Sequence, residues 1–136
     1  MYRLLRRHTA TIVALALVTS AISACGSTAA PSAPVTETLS GILVPTALSY
    51  SVITASGGGD ISITLVSLSP LSTITVGVGI GVTTSNGCAL QYSQENFKVG
   101  TVWNTSLSGK GLYCVAIYDI GQTAQNVNYT LKVTHP

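Results

Sequence analysis

The segment Asp60-Ile61-Ser62-Ile63-Thr64-Leu65 alternates polar and apolar side chains along its whole length. Successive side chains of a β-strand point to opposite faces of the sheet, so this alternation predicts a strand with one buried and one solvated face. Isoleucine and threonine favour strands because their branched Cβ atoms fit a pleated surface. No stretch after residue 35 has a convincing helical period, so the chain beyond that point is predicted to be all-β.

The same alternation recurs along the chain, and turn-forming residues interrupt it. Turn chemistry is supplied by Pro45, Gly57 to Gly59, Pro70, Asn86-Gly87, Gly100 and Gly109 to Gly111. The predicted strands cover residues 36–44, 47–54, 60–68, 73–82, 88–93, 99–107, 111–119 and 127–134. Seven or eight short strands with one apolar face each predict a single antiparallel β-sandwich of the jelly-roll or immunoglobulin-like type.

Three glycines occupy one face of the predicted strand that ends near Val82. Gly77, Gly79 and Gly81 alternate there with apolar residues, and a face without side chains allows another element to approach closely. We therefore expect close packing over these glycines. A flat binding platform that includes Thr73 and Thr75 is the alternative. The G-x-G-x-G spacing does not indicate a phosphate loop, because no helix follows it.

The opening and closing strands resemble a known bacterial family. The stretches concerned are Leu39-Ser40-Gly41, Gly111-Leu112-Tyr113-Cys114-Val115-Ala116-Ile117 and Asn128-Tyr129-Thr130-Leu131-Lys132-Val133. They resemble the pre-peptidase C-terminal domain over most of residues 36–134. The resemblance implies a jelly-roll-like sandwich, usually appended to secreted enzymes, that acts as a binding or solubility module; some relatives bind calcium or collagen.

The first 25 residues resemble the signal of a bacterial lipoprotein. A basic start precedes an apolar run, Thr9 to Ala21, which is shorter than the about 20 residues of a membrane span. Ile22-Ser23-Ala24-Cys25 then resembles a lipobox. The resemblance implies a helical signal peptide over residues 1–24 and acylation of Cys25, for instance by palmitate. The alternative is an ordinary secretory signal that leaves Cys25 a free thiol.

The resemblance also implies a location for the mature protein. Gly26 follows the cysteine where a retained lipoprotein typically has Asp, which favours the outer membrane if the organism has one and otherwise the outer face of the cell membrane. Residues 25–35 contain no large apolar side chain before Val35, so they predict a flexible tether. The sandwich domain is predicted over residues 36–136.

The three cysteines predict one disulfide. If Cys25 is acylated, Cys88 and Cys114 remain as a pair in an oxidising compartment, where disulfides persist. A redox or metal pair is the alternative, but the spacing is not C-x-x-C. The loop between the two cysteines is long enough for a bridge to stabilise the fold by about 3–4 kcal/mol.

Charged residues are scarce and unevenly placed. They make up 7% of the 136 residues, against about 25% in typical soluble domains. Every arginine lies in the first seven residues, so the formal net charge of +2 comes from the signal. Residues 25–136 hold three lysines against four acidic residues, a formal charge of −1. Without clustered Lys and Arg, the domain is not predicted to bind nucleic acid.

The side chains that catalysis needs are also scarce. His135 is the one histidine after the signal, and its place beside Pro136 predicts a frayed position unsuited to a Ser-His-Asp site. Asp60 and Asp119 lie beside glycine-containing turns, which favours turn capping by their carboxylates; calcium binding is the alternative. The sequence therefore predicts a non-enzymatic protein without a metal or cofactor.

Aromatic and amide side chains indicate where a ligand would bind. Tyr50, Tyr113 and Tyr129 are in phase with core positions, and either Tyr113 or Tyr129 can make a tyrosine-corner hydrogen bond. Tyr92, Trp103 and Asn104 lie in a polar and aromatic stretch, so they form the candidate ligand surface. A sole tryptophan is more often part of the core, and exposure of Trp103 for stacking on a sugar is the alternative. The leading hypothesis is an envelope binding or structural module anchored in a membrane through Cys25, with a protein or cell-wall partner. A cell-surface carbohydrate-binding module is the alternative.

Overall fold

The computed structural model describes residues 33–136. Eight strands account for most of them: β1 (Val35–Leu43), β2 (Leu48–Ala55), β3 (Gly59–Ser69), β4 (Val76–Thr84), β5 (Gly87–Phe97), β6 (Val102–Leu107), β7 (Gly111–Tyr118) and β8 (Val127–His135). The described range contains no helix, and the all-β prediction is confirmed. The predicted signal peptide and most of the tether, including Cys25, lie outside the described residues.

The strands form two antiparallel sheets that pack as a sandwich. Sheet 1 has the order β1-β8-β3-β6, and sheet 2 has the order β2-β7-β4-β5. Apart from the β4–β5 hairpin, every pair of consecutive strands lies in different sheets. Eight strands connected in this way make a jelly roll. Of the two predicted sandwich types, the structure therefore adopts the jelly roll.

Aliphatic side chains fill the space between the sheets. Ile61, Ile63 and Leu65 of the opening segment are completely buried, as their alternation with polar residues predicts. Phe97 and the inward residues of the other strands complete the core: Leu43, Ile53, Val76, Val78, Ile80, Val115, Ile117, Val127, Leu131 and Val133. Each such side chain contributes about 1.5–3 kcal/mol when it leaves water, so this layer is the main stabilising feature of the fold.

Three strands differ from their predicted bounds by three residues or more, and one of them, β6, begins at Val102 and not at residue 99. β4 begins at Val76 and not at residue 73, because the chain first makes a turn at Ser72 and Thr73. β5 extends to Phe97, well beyond residue 93, although its side chains from Ala89 to Asn96 are exposed. An edge strand that buries so little needs no apolar alternation, so a pattern search does not reveal it.

Tyrosine hydroxyls make two of the hydrogen bonds that hold the sandwich together. The Tyr113 hydroxyl donates to the carbonyl oxygen of Gly109 at 2.9 Å, which is the predicted tyrosine corner. The Tyr129 hydroxyl lies 2.9 Å from the hydroxyl of Ser49. Because Tyr129 belongs to sheet 1 and Ser49 to sheet 2, this second bond ties the two sheets to each other.

Candidate functional site

The two outer surfaces of the sandwich differ in chemistry. The polar face, on sheet 1, presents Thr36, Thr38, Ser40, Ile42, Asp60, Ser62, Thr64, Ser67, Ser69, Val102, Asn104, Ser106, Asn128, Thr130, Lys132 and Thr134. Val66, at the register shift of β3, is also exposed. The apolar face, on sheet 2, presents Leu48, Tyr50, Val52, Thr54, Gly77, Gly79, Gly81, Cys88, Leu90, Ser93, Leu112, Cys114, Ala116 and Tyr118. The prediction that Tyr50 occupies a core position is wrong, because Tyr50 lies in the outward phase of β2 and is 44% exposed. Hydroxyl and amide groups dominate the polar face. Aliphatic and aromatic side chains dominate the apolar face, and the one charged residue of its four strands, Glu95, lies on the edge strand β5.

One row of polar side chains crosses all four strands of sheet 1. It runs in register through Thr36, Thr134, Ser62 and Asn104. The hydroxyls of Thr36 and Thr134 are 2.9 Å apart and hydrogen-bond to each other. All four side chains are at least partly accessible, so the row offers hydrogen-bond donors and acceptors to a ligand.

A shallow depression lies at one end of this row. It has a volume of about 540 Å³, and Ser62, Asn104 and Thr134 line it together with Asp60 and Ser106. Hydroxyl, amide and carboxylate groups can each bond to the hydroxyls of a sugar or to the backbone of a peptide. The depression is therefore suited to a neutral, polar ligand.

A second depression, the edge groove, lies between the edge strands β5 and β6. It has a volume of about 470 Å³, and its lining includes Gln91, Tyr92, Ser106 and Tyr113. A register shift after Ile80 leaves Gln91 without a partner on β4. Such bulges re-aim side chains, and here Gln91 and the exposed ring of Tyr92 border the groove. Ser106 lines both depressions, so the two adjoin across β6.

The three residues of the predicted ligand surface occupy different places. Tyr92 is 58% exposed and borders the edge groove, while Asn104 lies in the depression on the polar face. Trp103 pairs with the inward residue Ile63 and packs against the core. Tyr92 and Asn104 therefore belong to adjoining depressions, whereas Trp103 lies on the inward side of β6.

The glycines of β4 make room for side chains of the apolar face. A Cβ atom on Gly77 would overlap the ring of Tyr118, and one on Gly79 would lie 2.9 Å from a methyl group of Leu90. Tyr118 and Leu90 therefore lie flat over Gly77 and Gly79. This is the close packing that the sequence predicts, while Thr73 lies outside β4 and Thr75 is buried. We call the three glycines of β4, Gly77, Gly79 and Gly81, the glycine floor.

The predicted disulfide is present. Cys88 and Cys114 are bonded, with their Cα atoms 5.8 Å apart. Cys88 belongs to β5 and Cys114 to β7, and these strands flank β4 in sheet 2. The bridge therefore crosses β4, the strand that carries the glycine floor, on the apolar face.

Asp119 caps a turn, as the sequence predicts. Its Oδ1 atom accepts hydrogen bonds from the backbone N–H groups of Gly121, Gln122 and Thr123 at 2.9–3.1 Å, and Oδ2 accepts one from Thr46 at 2.9 Å. Burial opposes ionisation, but the hydrogen bonds from Thr46, Gln122 and Thr123 outweigh it and lower the pKa of Asp119 from 3.8 to about 2. The carboxylate joins the β1–β2 turn to the loop after β7.

His135 is not frayed, contrary to the prediction. Its exposed fraction is 1%, because β8 continues to this residue and pairs it with Val35. Its Nε2 atom lies 3.1 Å from Oε1 of Glu37, and its Nδ1 atom lies 3.1 Å from the carbonyl oxygen of Pro136. Both ring nitrogens are therefore occupied inside the protein, and the end of β8 is fixed by strand pairing.

No family model and no curated protein sequence matches this chain. Within residues 33–136, no group of three or more His, Cys, Asp or Glu side chains is arranged to hold a metal ion. No helix in the same range is long and apolar enough to cross a membrane.

Proposed function

We propose that this protein is an exported lipoprotein in which acylated Cys25 anchors a non-enzymatic binding module to the bacterial envelope. The observation that carries the proposal is the pairing of Cys88 with Cys114. Of the chain's three cysteines, this leaves Cys25 outside the bridge, and Cys25 is the residue that ends the lipobox-like sequence. A disulfide in the domain is also consistent with an oxidising compartment outside the cytoplasm.

The position of the sandwich relative to Cys25 supports the same proposal. The first strand begins at Val35, and a flexible chain of about ten residues spans roughly 17–19 Å on average. The domain would then stand directly on the membrane that holds the lipid. The membrane is the outer membrane if the organism has one, and otherwise the outer face of the cell membrane.

The binding role is supported by the two adjoining depressions. They bring hydroxyl, amide and carboxylate groups to an accessible surface of the sandwich. By contrast, His135, the one histidine of the described residues, is buried between Glu37 and Pro136. A partner that is recognised by hydrogen bonds, either a protein or a cell-wall glycan, fits this surface better than a reaction that needs a free base.

Carbohydrate binding is the second candidate, and the edge groove favours it. The ring of Tyr92 is 58% exposed, and it lies beside the amide of Gln91 and the hydroxyl of Ser106. An exposed aromatic ring can stack on the apolar face of a sugar, while neighbouring amide and hydroxyl groups bond to the sugar hydroxyls.

Labelling with a clickable palmitate analogue tests the anchor in cells that make the full chain. We expect the protein to take up label and to sediment with membranes, and Cys25→Ser to abolish both. Thr28→Ala, in the tether, is the matched control and keeps the label. Globomycin should cause the uncleaved precursor to accumulate. Unchanged labelling and processing in Cys25→Ser and with globomycin would contradict the proposal.

Crosslinking in cells followed by mass spectrometry identifies the partner. For the carbohydrate alternative, binding to purified cell-wall polysaccharide is compared between Tyr92→Ala and Tyr50→Ala. Tyr50 is the matched control, because it is also an exposed tyrosine of sheet 2 but lies on the apolar face and not in the edge groove. Loss of binding in Tyr92→Ala alone supports the edge groove as a sugar site. Equal binding by both variants and the unchanged protein removes that alternative.

A further inference from the structure

The apolar face leaves an unusual amount of hydrophobic side chain in contact with solvent. The exposed fractions are 44% for Leu48, 44% for Tyr50, 48% for Val52, 37% for Leu90 and 55% for Leu112. These residues are spread over β2, β7 and β5, and the one charged residue in the four strands of sheet 2, Glu95, lies on the edge strand β5. A continuous apolar surface of this kind marks a contact with a membrane or a protein.

The chain enters the sandwich at one end of this face. Val35 begins β1 and pairs with His135, and the neighbouring Pro136 accepts a hydrogen bond from the backbone of Ser56 at 3.1 Å. Ser56 directly follows β2, whose last residues pair with Gly111 and Leu112. The start of β1 therefore lies at the same end of the sandwich as Leu112, the most exposed of the large hydrophobic residues of the apolar face.

We propose that the apolar face rests on the phospholipid bilayer that holds the lipid of Cys25. This inference rests on the proposed acylation of Cys25. The two sheets of a sandwich lie about 10 Å apart, so a tether that spans roughly 17–19 Å lets sheet 2 reach the membrane although the chain enters through sheet 1. The tether also keeps the bilayer close to the face at all times, whereas a second copy must first diffuse to it.

The side chains of the apolar face suit the boundary between lipid headgroups and acyl chains. Tyr50 and Tyr118 combine an apolar ring with a hydroxyl, and such rings are enriched at this boundary. Leucine and valine side chains leave water at this boundary, and their burial favours binding to the membrane. Lys110, which is exposed beside Gly111 at the end where the chain enters, can reach lipid phosphates.

The proposed orientation also decides what the other surface meets. Because the sheets are stacked, a bilayer against sheet 2 directs the polar face away from the membrane. Lys132 and Asp60 then stay in water, where their charges need no partner. The depression at Asn104 faces the cell wall or other proteins, and the tether stays beside the membrane.

The experiment places photoreactive benzoylphenylalanine at matched positions of the acylated, full-length protein in vesicles of phosphatidylethanolamine and phosphatidylglycerol. Val52 on the apolar face is 48% exposed, and Val102 on the polar face is 52% exposed. After irradiation, the yield of protein heavier by one phospholipid is measured by intact mass. We expect a yield about five-fold higher, or more, at position 52, because only that side chain lies at the lipid boundary.

Leu112 is the second test position on the apolar face, and Leu48 replaces any position at which the label lowers the unfolding midpoint. Equal lipid yields on the two faces overturn the docking proposal and leave the lipoprotein proposal standing. Crosslinking from position 52 to a second copy or another protein, without a lipid adduct, also overturns it. Acylation is read from the mass before irradiation, so an unacylated Cys25 is recognised separately and overturns both proposals.

Discussion

The two outer faces of the sandwich are built from the same strand geometry but contain opposite side chains. Most inward positions are apolar in both sheets, and this shared layer determines the fold. On the polar face, outward hydroxyls bond to each other, as those of Thr36 and Thr134 do. On the apolar face, side chains cover the sheet itself, as Tyr118 covers Gly77. The outward positions of a strand therefore determine its surface chemistry independently of the core.

The difference extends to how much each face contributes to stability. The apolar face carries the Cys88–Cys114 bridge and the glycine floor under Tyr118 and Leu90. The polar face carries accessible hydroxyls whose hydrogen bonds to each other replace equally good bonds to water. Substitutions on the apolar face should therefore affect unfolding far more than substitutions on the polar face.

Removal of the disulfide should have the largest effect. The bridge closes a loop with a sequence separation of 26 residues, and its loss should lower the free energy of unfolding by about 3.5 kcal/mol through the entropy of the unfolded chain. Urea unfolding with and without reductant measures this, and Cys88→Ala combined with Cys114→Ala should match the reduced protein. Coincident unfolding curves would show that the disulfide does not contribute to the stability of the fold.

The glycine floor should give the next largest effect. A Cβ atom on Gly81 would overlap the backbone of Ala89, which cannot move without breaking β5 away from β4. We expect Gly81→Ala to lower the free energy of unfolding by about 2–3 kcal/mol. Gly109→Ala is the control, because nothing lies within 4 Å of its Cβ position, and it should change stability by less than about 0.5 kcal/mol. Similar losses in both variants would mean that the floor is not specifically close-packed.

These contacts also show what the sequence reveals and what it does not. The alternation from Ile61 to Leu65 is sufficient to predict a strand and its buried face, because side-chain direction follows from local geometry. Which side chains pack against each face depends on strands that are distant in sequence. Close packing over Gly77 was predictable, but its occupant, Tyr118, comes from β7 and is revealed only by the register of the sheet.

Trp103 and His135 illustrate the same limit at the candidate site. In β6, apolar side chains occupy both phases, Val102 and Trp103, so the sequence does not decide which of them points inward. Pairing with Ile63 decides it. His135 was predicted to be frayed because it lies beside the last residue, yet pairing with Val35 buries it. Both outcomes depend on long-range register, which a single sequence does not encode locally.

Asp119 tests whether the carboxylate that directly follows β7 acts within the fold. Its pKa is lowered to about 2, so the folded state favours the ionised form. Its stabilising contribution is therefore complete above about pH 4 and is lost as the pH falls towards 2. Asp119→Asn should cost about 1–2 kcal/mol at neutral pH, because an amide cannot accept all four N–H groups. Its unfolding free energy should also fall less between pH 4 and pH 2 than that of the unchanged protein, and parallel pH profiles would contradict this role.

The polar face should give the smallest effect on stability, and this outcome completes the comparison. Asn104 is exposed and lies in the depression of the polar face, so Asn104→Ala should change the free energy of unfolding by less than about 0.5 kcal/mol. If this face binds the partner, the same variant should weaken crosslinking to it, whereas Thr38→Ala, farther along the face, should not. A stability loss as large as that of Gly81→Ala would mean that the polar face also holds the fold together. In that case, the contrast between a structural face and a binding face would no longer hold.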